Sequence, residues 1–489
     1  MHLLKDLLLH LPGAKCLQGQ TDIPVESLCI NSRQTLPGGI FIAINGNTVD
    51  GHQYIDKALA AGAPVIVAEH FEPGISTTAT LIQVRDSALA AGQLANAFWD
   101  APSAQVQLVG ITGTNGKTTC ATLLYQLYTA LGFTCGLLST VENKIAGQTV
   151  FATHTTPDSL SIHALLRKMV DAGCTHVFME VSSHAVDQQR IAGLQFASGV
   201  FTNISHDHLD YHKTFDAYIK AKKGFFDGLP AGAFALTNAD DKRGGVMLQN
   251  TAARKCTYSL REPATIKGQV LENNLTGLVM RIDNREAHFR LIGTFNAYNL
   301  LAVYGAATLL GEDPQAVLEA LTGLEGAAGR FETVRSPQKG ILGIVDYAHT
   351  PDALLNVLAT INQLKKPGQK LLTVVGCGGD RDREKRPVMA AAACEHSDTA
   401  ILTSDNPRFE NPDSILDQME AELTPVQLSK ALRITDRRSA IKTACKMAAP
   451  GDLILIAGKG HETYQDVKGV KHPFDDRTIL AHLFSDLQL

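Results

Sequence analysis

The chain has 489 residues, 45% hydrophobic and 19% charged, a balance that excludes a disordered chain and suits about three domains at roughly 100–200 residues each. Its 44 Lys and Arg against 49 Asp and Glu leave a net charge of −5, with no basic excess for a nucleic-acid backbone. Nine scattered cysteines with no CxxC pair, and no uncharged apolar run approaching ~18 residues, exclude a disulfide framework and a membrane span and point to the cytoplasm.

The opening Met1–Asp6 carries Lys5 and Asp6, and reads as a short amphipathic helix rather than a signal peptide. A strand-like run at 40–44 precedes a helical stretch at 52–61 and a strand at 65–67. A second strand and helix follow at 81–84 and 86–99. Asp100-Ala101-Pro102-Ser103 is turn chemistry and closes a small α/β domain at 1–101. From Val106 the pattern becomes a nucleotide-binding repeat: buried strands at 106–112, 177–181 and 200–203, with a helix at 118–131. Residues 265–292 alternate polar and apolar, which predicts an antiparallel excursion on that sheet. After the small residues at 326–330, strands at 341–346, 371–376, 400–404 and 453–458 predict a doubly wound domain. The expected fold is therefore α/β in three domains: 1–101, a central parallel-sheet, P-loop ATPase-like domain at 102–331, and a Rossmann-like domain at 332–489.

Gly113-Thr114-Asn115-Gly116-Lys117-Thr118-Thr119 sits between a buried strand and a helix. Glycines turn backbone N–H groups toward phosphate oxygens, and the helix start adds partial positive charge. Lys117 supplies a full charge for the β- and γ-phosphates, and Thr118 a hydroxyl for Mg²⁺. A motor or switch ATPase, or a non-catalytic nucleotide-binding module, would need no more than this loop.

The loop has Ile111 where GxxxxGK[ST] requires glycine, and its shorter GxxGKT form resembles the ATP loop of the Mur ligases and of folylpolyglutamate synthetase. Further motifs match the Mur ligases in order. They are Glu180-Val181-Ser182-Ser183-His184, Asp207-His208-Leu209-Asp210-Tyr211-His212, Asn238-Ala239-Asp240-Asp241, Gly293-Thr294-Phe295-Asn296-Ala297-Tyr298-Asn299, Gly329-Arg330 and Asp346-Tyr347-Ala348-His349. Gly376-Cys377-Gly378-Gly379-Asp380-Arg381-Asp382, Asp405-Asn406-Pro407-Arg408 and Gly458-Lys459-Gly460-His461-Glu462 complete the set. From Ile30 to Glu462 the chain is similar to the members of this family that add 2,6-diaminopimelate to a UDP-N-acetylmuramoyl dipeptide.

The resemblance implies an ATP-dependent amide ligase working through an acyl phosphate, with ATP as co-substrate and two Mg²⁺ ions held by Thr118, Glu180, His208 and Lys222. It implies that Lys222 is carbamylated by CO₂; Lys220 and Lys223 stand next in line for that role. Lys117, Glu180, His208 and Lys222 are its catalytic residues. Gly113 through Thr119, Asn296, Asn299, Arg330 and Asp346 are expected at ATP. Ile30, Ser32, Asn47, Thr48, Val49, His154, Thr155, Thr156, Ser182, Gln188 and Arg190 are expected at UDP-MurNAc-L-Ala-D-Glu, with His154 standing where the family leads one to expect Asn. Arg381, Asp405, Asn406, Pro407, Arg408, Gly458 and Glu462 are expected at meso-diaminopimelate. Arg408 would pair with the carboxylate that lysine lacks, which disfavours a lysine-adding relative. A folate-polyglutamylating ligase would leave Asp405–Arg408 without a role. The expected state is a cytoplasmic monomer with small-molecule partners only.

Overall fold

Buried β-branched runs set the frame of the N-terminal region in the computed structural model, which describes residues 2–46, 49–75, 77–150, 155–205 and 209–489. Gly39–Ile42 and Val65–Ala68 are wholly buried strands at the middle of a five-stranded sheet. Its order is Lys15–Gln18, Thr80–Gln83, Val65–Ala68, Gly39–Ile42, Ser27–Cys29, antiparallel only at the first pair. The helix Ser87–Phe98, N-capped by Asp86 accepting from Leu89 N–H, buries an alanine-rich face.

The chain divides into two compact units, Met1–Gly268 with Tyr298–Ala320, and Gln269–Ala297 with Leu321–Leu489. In the first, the strand Gln107–Thr112 lies between His176–Glu180 and Ser198–Phe201, all parallel. Cys135–Leu138 extends the sheet on one side, Phe234–Asn238 and Arg254–Ser259 on the other. The expected helix after the phosphate loop runs Lys117–Ala130.

In the second unit a sheet runs Glu332–Arg335, Leu342–Asp346, Leu453–Ala457, Leu371–Val375, Thr399–Leu402, Ala431–Arg433, antiparallel only at its first pair. Alternate residues of its central strands enter opposite cores: Leu453 and Leu455 join Leu371 and Val375 on one face, while Ile454 and Ile456 join Leu372 and Val374 on the other. Covering both faces is what makes such strands read as unbroken apolar runs. Of the antiparallel excursion expected at 265–292, Gly277–Ile282 and Arg285–Phe289 form an antiparallel hairpin, whereas Ile266–Asn274 pairs with Arg254–Ser259 in parallel. Four strands of the six-stranded sheet end just before Tyr347, Gly376, Thr403 and Gly458, so the motifs at 346–349, 376–382, 405–408 and 458–462 leave from one edge, where doubly wound sheets bind ligands.

Candidate active site

The phosphate loop is shaped by backbone approach. Gly113 has φ +152°, and a Cβ there would stand 1.9 Å from Thr202 Oγ1. Thr114 N–H donates to Asn203 O at 2.8 Å and Asn115 N–H to Asn203 Oδ1 at 3.0 Å, pinning the turn to the neighbouring strand's exit. Gly116 is the N-cap of the following helix and offers no capping side chain, which suits an anion there. Lys117 Nζ folds back onto Gly113 O and Thr114 O at 2.9 and 2.8 Å.

Glu180 ends its strand opposite Ile111 and is fully buried. Its carboxylate accepts from Thr140 N–H at 2.7 Å and Thr140 Oγ1 at 3.2 Å. Thr118 is buried in the first turn of the loop helix. Lys222 is the buried lysine of its helix: its Nζ donates to Gly113 O at 2.8 Å and lies 4.7 Å over the Tyr218 ring. Lys220 is exposed and Lys223 pairs with Asp227 at 2.6 Å, so burial separates Lys222 from both neighbours. Asn299 lies at the loop too, its Oδ1 standing 2.5 Å from the place of a Cβ on Gly116. A buried carboxylate and a buried hydroxyl beside the loop are hard oxygen donors of the kind Mg²⁺ takes. Among the described residues no three His, Cys, Asp or Glu side chains converge as a metal cage. His208, Asn47, Thr48 and His154 lie outside the described residues.

A chain of polar contacts continues from Glu180. Thr156 Oγ1 donates to Glu180 O at 2.8 Å and accepts from Ser182 N–H at 3.1 Å. Arg190 Nη1 donates to Thr156 O at 2.8 Å, while its Nε and Nη2 fork onto Gln188 Oε1 at 3.0 and 2.6 Å. Burial pushes the Arg190 guanidinium below its ordinary pKa, with Asp158 and Tyr211 opposing. Tyr211 was absent from the expected site, yet its OH accepts from Gln188 Nε2 at 3.0 Å and donates to Asp187 Oδ2 at 2.6 Å. Thr155 Oγ1 accepts from Thr140 Oγ1 at 3.1 Å. Ser182 Oγ caps its helix by accepting from Ala185 N–H. Ile30, Ser32 and Val49 sit in the N-terminal sheet's own turns, with Ser32 opening a 3₁₀ turn and Val49 exposed.

In the second unit, Asn296 is buried and donates to Ile292 O at 2.9 Å. Arg330 stacks over Tyr347, 4.6 Å from the ring centroid. Asp346 accepts from Phe331 N–H and Ala348 N–H at 2.7 and 2.8 Å. Burial, outweighing Arg330 and these bonds, raises its pKa. Asn406 is the hub of the last cluster. It donates to Glu462 Oε2 at 2.7 Å and accepts from Lys459 Nζ at 3.0 Å and Asp466 N–H at 2.9 Å. Lys459, wholly buried and unassigned by the sequence, also pairs with Glu462 at 3.0 Å and stands 3.9 Å from Asp405. Arg408 adopts φ +49°, and its Nη1 donates to Gly379 O at 2.8 Å. A Cβ on Gly379 would stand 2.0 Å from Pro407 O, so the two loops touch backbone to backbone. Gly458 follows its strand directly, and Arg381 is exposed on the neighbouring loop. Behind them Arg437 and Asp476 form a fully buried pair at 2.7 Å, and Arg437 Nη2 holds Ala457 O at 3.0 Å. The sequence carries no signal for such pairs, since Arg437 sits next to Arg438 and looks like a surface cation.

A phosphate loop with buried oxygen donors and a polar cluster at the ends of a doubly wound sheet define a nucleotide-dependent ligase of the Mur type. Three family models match the chain: "Mur ligase family, catalytic domain" at 24–99, "Mur ligase middle domain" at 111–307 and "Mur ligase, glutamate ligase domain" at 329–460. The chain belongs to the Mur ligase family and has its three-domain α/β architecture. It is 58% identical over 473 residues to the UDP-N-acetylmuramoyl-L-alanyl-D-glutamate–2,6-diaminopimelate ligase of Cytophaga hutchinsonii, covering 96% of this chain and 97% of that one. The ligases of the same name from Parabacteroides distasonis and Geobacillus kaustophilus are 54% and 40% identical, each alignment covering 97% of this chain and 98% of the relative. A solved structure under that name matches with TM-score 0.72 at 32% identity, covering 99% of both chains. A Mycobacterium tuberculosis folylpolyglutamate synthase shares the fold alone, with TM-score 0.60 at 18% identity over 76% of this chain and 92% of that one. No helix among the described residues is long and apolar enough to cross a membrane.

Proposed function

We infer that this chain is an ATP-dependent amide ligase that adds meso-2,6-diaminopimelate to UDP-N-acetylmuramoyl-L-alanyl-D-glutamate, a step in making peptidoglycan precursor. The observation that carries the choice of amine is Arg408, held on Gly379 O two residues past Asn406, whose amide donates to Glu462. A guanidinium beside a buried acidic cluster offers one partner for a carboxylate and another for an ammonium, which is what the far end of diaminopimelate carries. Lysine would leave Arg408 unpaired.

A carboxylate is a poor electrophile because oxide is its leaving group. The γ-phosphoryl group of ATP therefore passes to the substrate's D-glutamate carboxylate, giving an acyl phosphate and ADP. The neutral amine then attacks the acyl carbon, and phosphate leaves from the tetrahedral intermediate as the amine proton is released. Gly113 through Thr119 cradle the phosphates, and Lys117 swings from its loop carbonyls to the β- and γ-oxygens. Asn296, Asn299, Arg330 and Asp346 hold the rest of the nucleotide. Thr118, Glu180, His208 and Lys222, the last as a carbamate, would hold Mg²⁺, which would supply positive charge between polyphosphate and carboxylate. Lys222, unlike Lys220 and Lys223, is buried with its Nζ on Gly113 O, which supports it as the modified lysine. Arg190, oriented by Gln188, grips an anionic group of the muramoyl dipeptide together with Thr155, Thr156, Ser182 and His154. Ile30, Ser32, Asn47, Thr48 and Val49 take the uridine end. Arg381, Asp405, Pro407, Gly458 and Glu462 complete the amine pocket around Arg408.

The domains divide at 101/102 and 331/332, and the chain works as a cytoplasmic monomer. The testing experiment measures phosphate release with UDP-MurNAc-L-Ala-D-Glu, ATP and Mg²⁺, comparing diaminopimelate with lysine. Full-rate release only with diaminopimelate is expected; ATP turnover without the dipeptide, or equal use of lysine, would overturn this reading.

A further inference from the structure

Beneath the loop that carries Arg408 lies an ion pair outside every motif. The Arg386 side chain is wholly buried and forks onto Glu410, Nη1 to Oε2 at 3.0 Å and Nη2 to Oε1 at 2.9 Å. The same guanidinium donates to Gln418 Oε1 at 2.7 Å and to Gly378 O at 3.2 Å. Glu410 Oε1 accepts from Asp380 N–H at 2.6 Å. That N–H and Gly379 O are the two ends of one peptide group, and a planar peptide fixed at its N–H has its carbonyl direction fixed as well. Gly379 O is the acceptor that holds Arg408 Nη1 at 2.8 Å. The loops are tied once more by Gly379 N–H donating to Asn406 O at 2.9 Å and Glu410 N–H to Pro407 O at 3.0 Å.

An apolar pair of similar volume often stabilises a buried spot as well as an ion pair does, and here Arg386 is buried while Glu410 is partly exposed and also 3.6 Å from Arg383. What an apolar pair cannot supply is direction: one donor to Gly378 O and one acceptor for Asp380 N–H, the peptide groups at the turn where Arg408 rests. We propose that Arg386 and Glu410 form a positioning clamp that orients the Gly379–Asp380 peptide, and through it aims Arg408 at the distal carboxylate of the amine substrate. This rests on the reading of Arg408 given above. The Arg386 fork also holds the Glu410 carboxyl far below its usual range, down to about 2, so the clamp stays ionised at any working pH.

The test is steady-state kinetics on the full chain, with thermal melting to establish folding. Wild type, Glu410→Gln, Arg408→Ala and the double variant are each assayed with diaminopimelate and lysine. Glu410→Gln is expected to raise the diaminopimelate KM about tenfold, in line with the cost of a small misplacement of a binding group, and to narrow the preference over lysine. Its kcat at saturating amine, and the KM for ATP and for the UDP-dipeptide, stay at wild-type values. In the Arg408→Ala background the same substitution adds nothing, because its effect runs through Arg408. A folded Glu410→Gln with wild-type KM, or the full penalty persisting without Arg408, overturns the clamp. An unchanged KM in Arg408→Ala alone overturns the reading of Arg408 itself, so the two failures are distinct. Arg386→Lys, which keeps the charge and loses the fork, is the second variant and is read the same way should Glu410→Gln fail to fold.

Discussion

The phosphate loop and the amine cluster hold their charged side chains by opposite means. At the loop, Lys117 and Lys222 both donate to the carbonyl of Gly113, at 2.9 and 2.8 Å, and the turn itself is pinned by the backbone and side-chain oxygens of Asn203. At the amine cluster, Lys459, Arg386 and Arg437 are all wholly buried and each is met by a carboxylate, Glu462, Glu410 or Asp476. The first gathers two ammonium groups on one loop carbonyl, and the second meets each buried cation with a carboxylate of its own. Substitutions in the loop should therefore abolish chemistry, while substitutions in the cluster should change which amine is used.

Lys117→Ala tests the loop side hardest. It should lower kcat by about 10²–10³-fold, the usual cost of removing one charged donor from a developing transition state, with the fold intact by circular dichroism. Residual activity near wild type would remove Lys117 from the phosphates. Lys222→Ala should follow at about a hundredfold, and a short carboxylate such as formate should restore part of the rate by filling the vacated place. Rescue by formate in a Lys220 or Lys223 variant instead would move the modification to that residue.

On the cluster side, Arg408→Ala should raise the diaminopimelate KM by roughly tenfold to a hundredfold, at about 1.4 kcal/mol per factor of ten. The KM for ATP should hold. Arg408→Lys should recover part of the loss, because an ammonium lacks the planar fork. A diaminopimelate-to-lysine ratio of kcat/KM unchanged in Arg408→Ala would erase the proposed division of labour.

The smallest effect contrasts two carboxylates, one from each unit. Burial would raise the Asp240 carboxyl, but Ser259, the Glu262 and Leu260 N–H groups and Tyr298 outweigh it and bring it to about 2. Glu410 reaches about 2 chiefly through the Arg386 fork. A depressed carboxylate stabilises the fold fully above its unfolded pKa, near 4, and loses that contribution as pH falls toward 2. Asp240→Asn and Glu410→Gln should each cost about 2 kcal/mol at pH 7 in urea unfolding, with the gap from wild type narrowing below about pH 4 and closing only as pH falls to about 2. A gap that stays constant across this range would mean neither carboxylate is held by its charge.

The same contrast explains what could be read in advance. Strands buried on both faces, the GxxGKT turn and Glu180 at a strand end are local patterns, and each lies where the sequence placed it. Asp405–Arg408 and Gly458–Glu462 were legible as motifs, and the resemblance grouped them at one ligand, but the bond by which Asn406 reaches Glu462 across 56 residues was not legible. Arg386 and Glu410 stand 24 residues apart in stretches with no motif, and Arg437 and Asp476 39 apart. No periodicity encodes such a pairing, because a buried arginine is recognisable only once its partner is brought to it. Lys220, Lys222 and Lys223 look alike in the sequence, and burial is what distinguishes Lys222.

The backbone contact at Gly379 constrains how this pocket can change over evolutionary time. With Pro407 O standing 2.0 Å from where any side chain would begin, the loop has no intermediate by which to widen or tilt in small steps. A side chain at Gly379 would displace the Asp405–Arg408 loop as a whole, whereas the side chains of Arg408 and Arg381 can be exchanged without disturbing that backbone contact.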